Sequence, residues 1–325
     1  MPHLTTLSLG AGLQSSLLCE MAIAGELPRP DVVLFADTGD EPSYVHEQVA
    51  YLRHKLQTVN VPLITVRNGH LVEDFYSNSI LQTARFATIP LFTHLKDGRR
   101  RKPAKATAVP DVTLFDLDDY EQPMSDSATG FGLETQFGRV GRLRRQCTSE
   151  YKIVPIEREI RIMLLEMGLA TETKNGAIRV KKGVEVESWL GITLDEVQRM
   201  KPSRHRWLCH RWPRIEKRMT RADCVHWYKQ RGLPVPRKSS CRRCPFHSDA
   251  YWLDMKQNQP EDWQEVVAFD HDLRTPAPNG RLRLAATAKG TLYLHRSLLP
   301  LDEVSLRHEQ QSALFDGCDA GFCWT

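Results

Sequence analysis

The sequence predicts an α/β protein: a parallel sheet flanked by helices, with a smaller, mostly helical, cysteine-bearing C-terminal region. Three observations predict it. Residues 4–66 alternate short apolar, β-branched runs, bounded by Gly, Asp and Pro, with amphipathic helical segments, which is the pattern of parallel βαβ units. A Gly-rich turn, "SLGAGLQSS" (8–16), follows the first run, and a polar turn, "FADTGDE" (35–41), follows the second. Both turns therefore fall at the carboxyl edge of the sheet, where open α/β sheets bind ligands.

The elements follow in order. "LTTLSL" is the first strand, a helix runs from about Gln14 to Ala24, "DVVLFAD" is the second strand, a helix spans about Ser43 to Val59, and "PLITVR" is the third strand. "HLVEDFYSNSI" reads as a helix, whereas about 96–138 carries Pro, Gly, Ser and Asp without periodicity and is expected to be a long loop. "SEYKIVPIEREIRIMLLEMG" has apolar residues at helical spacing, with Gly168 as its stop, and "ESWLGIT" reads as a further core strand. Thr220 and Gly232 bracket a helix over "RADCVHWYKQR", and "EDWQEVVAFDHDLR" is a last helix. The expected division is 1–200 for the nucleotide-side α/β domain and 201–325 for a basic, Trp-rich, Cys-bearing region.

At 325 residues the chain is long enough for about two domains and a large core. Its apolar runs fall well short of the roughly 20 residues of a membrane-spanning helix, and the N-terminal residues carry no secretory pattern, so a cytoplasmic protein without a membrane partner is expected. Eight cysteines then point to thiols or metal ligands rather than disulfides. The net charge of +4 is concentrated in basic blocks at 96–105, 138–145, 211–221 and 237–244, a distribution that fits either solvated surface or a polyanionic ligand such as a nucleotide or nucleic acid.

In the first turn, Gly10 and Gly12 allow backbone N–H groups to approach an anion, and Ser8, Ser15 and Ser16 add hydroxyl donors at a helix start. Asp37, Thr38 and Gly39 would emerge one strand away. Either turn alone fits an ordinary strand-to-helix connection; together they point to a phosphate cradle. No Gly-Lys-Ser/Thr ends the turn, so it is not a Walker A loop.

Ser8-x-Gly10-x-Gly12-x-Gln14-Ser15, followed by "FADTG", resembles the PP-loop (N-type) ATP pyrophosphatase superfamily, whose loop reads Ser-Gly-Gly-x-Asp-Ser. Within it the chain is most similar to the phosphoadenosine phosphosulfate (PAPS) reductase-like branch, related to the sulfurtransferase of DNA phosphorothioation. "RRQCTSEYKIVPIEREIR", "WLGITLDEVQRM", "KSSCRRCPFHSDAYW" and "DGCDAGFCWT" extend the likeness over most of the chain. Gln14 departs from the family pattern, because an amide replaces the loop's acid.

The resemblance implies an adenine nucleotide alpha-hydrolase-like fold. It assigns Ser8, Gly10, Gly12, Gln14, Ser15 and Ser16 to the phosphates of ATP or PAPS, and Asp37, Thr38 and Gly39 to the nucleotide or an accompanying Mg2+. Arg145 and Lys152, with Arg142, are the candidates for stabilising developing charge.

Cys241-x-x-Cys244 sits in a Lys/Arg-rich setting that favours thiolate, and Cys147 lies beside "RLRRQ". An iron–sulfur cluster, a zinc site, a redox dithiol and plain free thiols all fit that spacing. The resemblance implies a 4Fe-4S cluster on Cys147, Cys241 and Cys244, with Cys224 as fourth ligand and Cys209 its competitor. Cys318 and Cys323 are candidate persulfide carriers or reductants, although the tail lacks the Glu-Cys-Gly-Leu-His context of PAPS reductases. Cys19 is expected in the core. His247 and His295 are each either a ligand or a satisfied structural residue, and Asp195 and Glu196 read as a helix cap in preference to a metal site. Trp207, Trp212, Trp227 and Trp252 are either base-stacking or core residues.

The expected function is an ATP-dependent, pyrophosphate-releasing sulfurtransferase acting on RNA or DNA, with an iron–sulfur cluster and a sulfur donor protein. A sulfonucleotide (PAPS) reductase is the alternative, and a non-catalytic nucleotide- or nucleic-acid-binding component is the third reading.

Overall fold

The computed structural model describes residues 2–81, 89–94, 140–143, 145–275 and 290–306. β1 (Leu4–Leu9), α1 (Leu13–Ile23), β2 (Val32–Ala36), α2 (Ser43–Gln57) and β3 (Leu63–Val66) come first, close to where the sequence places them. α3 (Leu71–Leu81), β4 (Phe92–His94) and β5 (Val140–Arg142) follow. A π-helical turn (Ser149–Ile153) enters α4 (Val154–Glu166), and β6 (Ala170–Glu172) pairs antiparallel with β7 (Ile178–Val180). β8 (Val186–Trp189), a 3-10 segment (Leu194–Arg199) and β9 (Leu208–Arg211) lead to α5 (Pro213–Glu216), α6 (Arg221–Gln230), α7 (Asp249–Asn258), α8 (Pro260–Asp272) and β10 (Thr291–Tyr293).

The protein is α/β, with a five-stranded central sheet in the order β3-β2-β1-β8-β9 and every pairing parallel. The chain builds outward from β1 through β2 to β3, then restarts on the other side of β1 with β8. The carboxyl ends of β1 and β8 thus flank a topological switch point, the crevice in which such sheets hold ligands.

Both sheet faces are covered, which explains why the strands read as nearly continuous apolar runs. Leu7, Leu9, Val33, Phe35 and Trp189 pack against α1, α2 and α6. The alternate residues Leu4, Val32, Leu34, Val186 and Leu208 pack against Ile156, Ile160 and Leu164 of α4. β9 and α6 lie beyond residue 200; β9 is the fifth strand of the central sheet, and α6 packs on one of its faces. A third apolar cluster joins Phe75 of α3, Tyr151, Trp252 of α7 and Phe269 of α8. No helix among the described residues is long and apolar enough to cross a membrane.

Candidate functional site

At the switch point lies an open cleft of about 780 Å³, its mouth included. Ser8, Gly10, Gly12, Leu13, Gln14 and Ser15 form one wall, and Leu190, Gly191 and Ile192, which follow β8, form the opposite one. Lys152, Arg199, Arg221 and Lys238 bring positive charge to it from four separate segments, Ser239 adds a hydroxyl, and none of the described lining residues is acidic.

The loop geometry follows from its sequence. Ala11 adopts φ +57°, so the left-handed residue of the turn is not a glycine. Gly12 caps α1 in an extended conformation, and a Cβ there would sit 2.7 Å from Ser239 Oγ, which shows how closely the Lys238–Ser239 segment covers the loop. Ser15 Oγ accepts the Gly10 N–H at 3.0 Å. The first N–H groups of α1 have no intrahelical partners, as at any helix start, and they add positive potential to that of the four cations. Gly191 is the tightest point: a Cβ would lie 2.9 Å from Ser15 N and 3.0 Å from Ser15 Cα, both backbone atoms. Nothing in "WLGIT" signals that β8 ends at Trp189 and that Gly191 makes this contact.

Of the candidate residues, Ser8, Gly10, Gly12, Gln14, Ser15 and Lys152 line the cleft. Others fall elsewhere. Ser16 is fully buried below the loop and does not line the cleft. Asp37, Thr38 and Gly39 leave β2 at the same edge but are held by protein groups. Asp37 pairs with Arg67, and although burial alone raises its pKa, the Arg67 bond and the Gly39 N–H bring its carboxyl below the ordinary range. Thr38 Oγ1 donates to Glu41 Oε1 at 3.1 Å, and Gly39, at φ +79°, packs under His70. Arg142 and Arg145 stack over the Phe246 ring at 5.3 and 5.6 Å, and Arg145 Nη2 also donates to Thr148 Oγ1 at 2.9 Å.

Gln14 shows what the amide does in place of an acid. Its Nε2 donates to Glu196 Oε2 at 2.7 Å and Thr193 Oγ1 at 3.2 Å. Glu196 also receives Arg199 Nη1 at 2.8 Å, and burial raises its pKa despite that partner. Asp195 does cap a helix, though not its own: its Oδ1 accepts the N–H of Arg221, the first residue of α6, at 3.1 Å.

The cysteines depart from expectation. Arg242 and Arg243 turn away from Cys241 to Asp40, Asp262 and Glu265. Cys241 Sγ instead lies 3.3 Å from Thr38 Oγ1 and 3.6 Å from Glu41 Oε1. Burial, then the Glu41 carboxylate, push its pKa well above the ordinary thiol range, so the basic neighbours in sequence do not make it a thiolate. Cys147 and Cys241 both pack against the α3, α7 and α8 cluster, whereas Cys224 is fully buried under α1 with Arg214 Nη1 at 3.2 Å. Cys209 is exposed on β9, and Cys19 lies in the core as expected. Cys318 and Cys323 lie outside the described residues. Among the described residues no three His, Cys, Asp or Glu side chains are grouped as ligands of one metal. Cys224 thus lies in a different core from Cys147 and Cys241, which separates the expected fourth ligand from the other two.

No protein-family model matches the chain, and no curated protein matches it. Among solved structures, phosphoadenylyl-sulfate (PAPS) reductase from Candida auris, in its phosphate complex, is similar over 73% of this chain and 76% of that chain. The TM-score is 0.34 and the identity 8%. A likeness this distant does not bear on activity; the fold rests on the strand order and the site on its own residues.

Two histidines are structural. His247 lies face to face with Tyr251 at 3.6 Å between centroids and edge-on to Trp252. Its Nε2 is 2.9 Å from the Cys241 carbonyl, which only accepts, so the neutral ring carries its proton there. Burial, reinforced by the Lys238 charge, lowers its pKa to about 3. His295 is buried between Ser297 and Asp249. Trp227 and Trp252 pack in the cores, and Trp207 stacks on His205, with the Arg161 guanidinium 5.1 Å from the Trp207 ring centre.

Proposed function

We propose that the protein is an enzyme that binds the phosphate groups of an adenine nucleotide in the switch-point cleft and acts on sulfur attached to that nucleotide, with a sulfonucleotide such as PAPS as substrate. The observation that carries this reading is the cleft itself: a Gly-rich loop and helix start facing Lys152, Arg199, Arg221 and Lys238, with no acidic residue among the described lining residues, while Glu41 and Glu196 pair with Lys152 and Arg199 from outside that lining. Such a site neutralises clustered phosphate charge directly, whereas an ATP–magnesium complex calls for oxygen ligands to the metal. The adenine is carried by the family resemblance of the loop alone.

In this reading a thiolate attacks the nucleotide's sulfur, the bond between that sulfur and the phosphate oxygen breaks, and the electron pair stays on the phosphate. The four cations then face the charge that grows on the departing phosphate, the form of stabilisation that most lowers such barriers. Cys318 and Cys323 stand as the proposed thiols, because Cys241 is a half-buried thiol beside Glu41, with its pKa pushed well above the ordinary range.

ATP-dependent sulfur transfer to a nucleic acid is the second reading. Asp37 favours it, as an ionised carboxylate at the same sheet edge that would accept magnesium by giving up Arg67. The deciding experiment is a product assay on the full chain. Sulfite released from PAPS with a thiol reductant, and lost in Lys238→Ala, supports the first reading. Pyrophosphate released from ATP only when RNA or DNA is added supports the second, and nucleotide binding without either product would leave a binding component.

A further inference from the structure

One buried carboxylate ties the two walls of the cleft together. Glu196 is 6% exposed and does not line the cleft, but each of its three side-chain partners comes from the cleft's frame. Its Oε2 accepts Gln14 Nε2 at 2.7 Å from the first turn of α1, Arg199 Nη1 at 2.8 Å, and Thr193 Oγ1 at 3.3 Å. Gln14 belongs to the segment after β1, and Thr193 and Arg199 to the segment after β8, so these bonds span the switch point. The close approach of Gly191 to the Gln14–Ser15 backbone brings the same two segments together at a second place. Both Gln14 and Arg199 line the cleft.

We infer that Glu196 is a positioning residue for anion binding: it fixes Arg199 and Gln14 in the cleft wall, so that the cation is aimed before the ligand arrives. The inference rests on the phosphate-binding reading of the cleft. It makes a prediction whose sign is opposite to that of simple electrostatics. A carboxylate beside an anion site repels the anion, so on Coulomb's law alone its neutralisation would tighten binding. If Glu196 instead holds Arg199 in place, neutralising it removes that charged bond, the guanidinium is aimed less well, and binding weakens because the geometry must be recovered when the ligand arrives.

The probe is inorganic phosphate, which reports on the cleft whichever nucleotide the enzyme takes, titrated calorimetrically into the full chain. Glu196→Gln is expected to weaken phosphate binding about tenfold, the size of one well-made charged hydrogen bond. Arg199→Lys, which keeps the charge but not the planar fork, is expected to weaken it similarly. The double variant should bind no more weakly than the weaker single variant, because both changes remove the same interaction. Glu196→Asp should recover part of the loss, which a general loosening of the fold would not produce.

Unchanged or tighter binding by Glu196→Gln, with its thermal midpoint intact, would overturn the inference while leaving the cleft as an anion site. If Glu196→Gln does not fold, Arg199→Lys decides: affinity equal to that of the unmodified chain contradicts positioning. Failure of the unmodified chain to bind phosphate would remove the cleft reading, and this inference with it.

Discussion

Gly191 has no room for a side chain, and the atoms it would meet are backbone atoms that cannot rotate away. Gly191→Ala is expected to cost about 1–3 kcal/mol of stability in urea unfolding, the usual range for overpacking, and to weaken phosphate binding because the displaced Ser15 and Gln14 both line the cleft. A substitution without effect on either measurement would mean that the β8 exit loop does not define the site. At this scale the sequence was informative where chemistry is local and silent where it depends on distant partners. Ser8, Gly10, Gly12, Gln14 and Ser15 were legible as cleft-lining residues because two polar turns follow neighbouring strands and so fall at one sheet edge. Cys241 was misleading: its arginine neighbours suggested thiolate, but their side chains run to Asp40 and Glu265, and the thiol faces Glu41. Nothing within "SSCRRC" encodes that choice, because Asp40 and Glu41 come from the turn after β2.

α6 is the element on which local reading works best. Thr220 Oγ1 accepts the Asp223 N–H at 3.3 Å and Asp223 Oδ2 accepts the Thr220 N–H at 2.8 Å, a reciprocal cap, and Gly232 follows the helix at φ +60°. Thr220→Ala is expected to lower stability by about 1 kcal/mol in denaturant unfolding. It should also weaken phosphate binding modestly, since Arg221, the first residue of the helix, lines the cleft. No loss in stability would show that Asp195, which also bonds the Arg221 N–H, suffices as the cap. β9 went unread for a physical reason: "LCHR" is a short edge strand with polar and basic side chains, and only its parallel pairing with β8 makes it a strand. Pairing is a tertiary fact that four residues do not announce. α7 was likewise missed, although Ser248 accepts the Tyr251 N–H at its start.

For the molecule as a whole, three apolar clusters and several buried ionisable groups set how stability responds to pH. His247 is neutral in the folded protein down to about 3, whereas in the unfolded chain it titrates near 6.5. Above about 6.5 neither state binds the proton and the residue adds no pH dependence. As pH falls from about 6.5 towards 3, the unfolded chain takes up a proton that the folded one refuses, and stability declines by at most about 1.4 kcal/mol per pH unit from this group. Urea unfolding between pH 7 and pH 4 should record that decline, and His247→Gln should flatten it; an equal slope in the variant would assign the decline to other groups. Ligand linkage acts in the opposite direction, since a nucleotide that binds only the folded cleft raises the midpoint of thermal unfolding in proportion to the logarithm of its concentration.

The most direct measurement for the cleft as a phosphate site is calorimetric titration of the full chain with PAPS, and separately with ATP, in buffer containing EDTA. The four cations, with no acidic residue among the described lining residues, predict saturable PAPS binding without divalent metal, weakened at high salt and weakened further in Lys238→Ala. No PAPS binding in EDTA, together with tight ATP binding that appears only when magnesium is restored, would contradict the account.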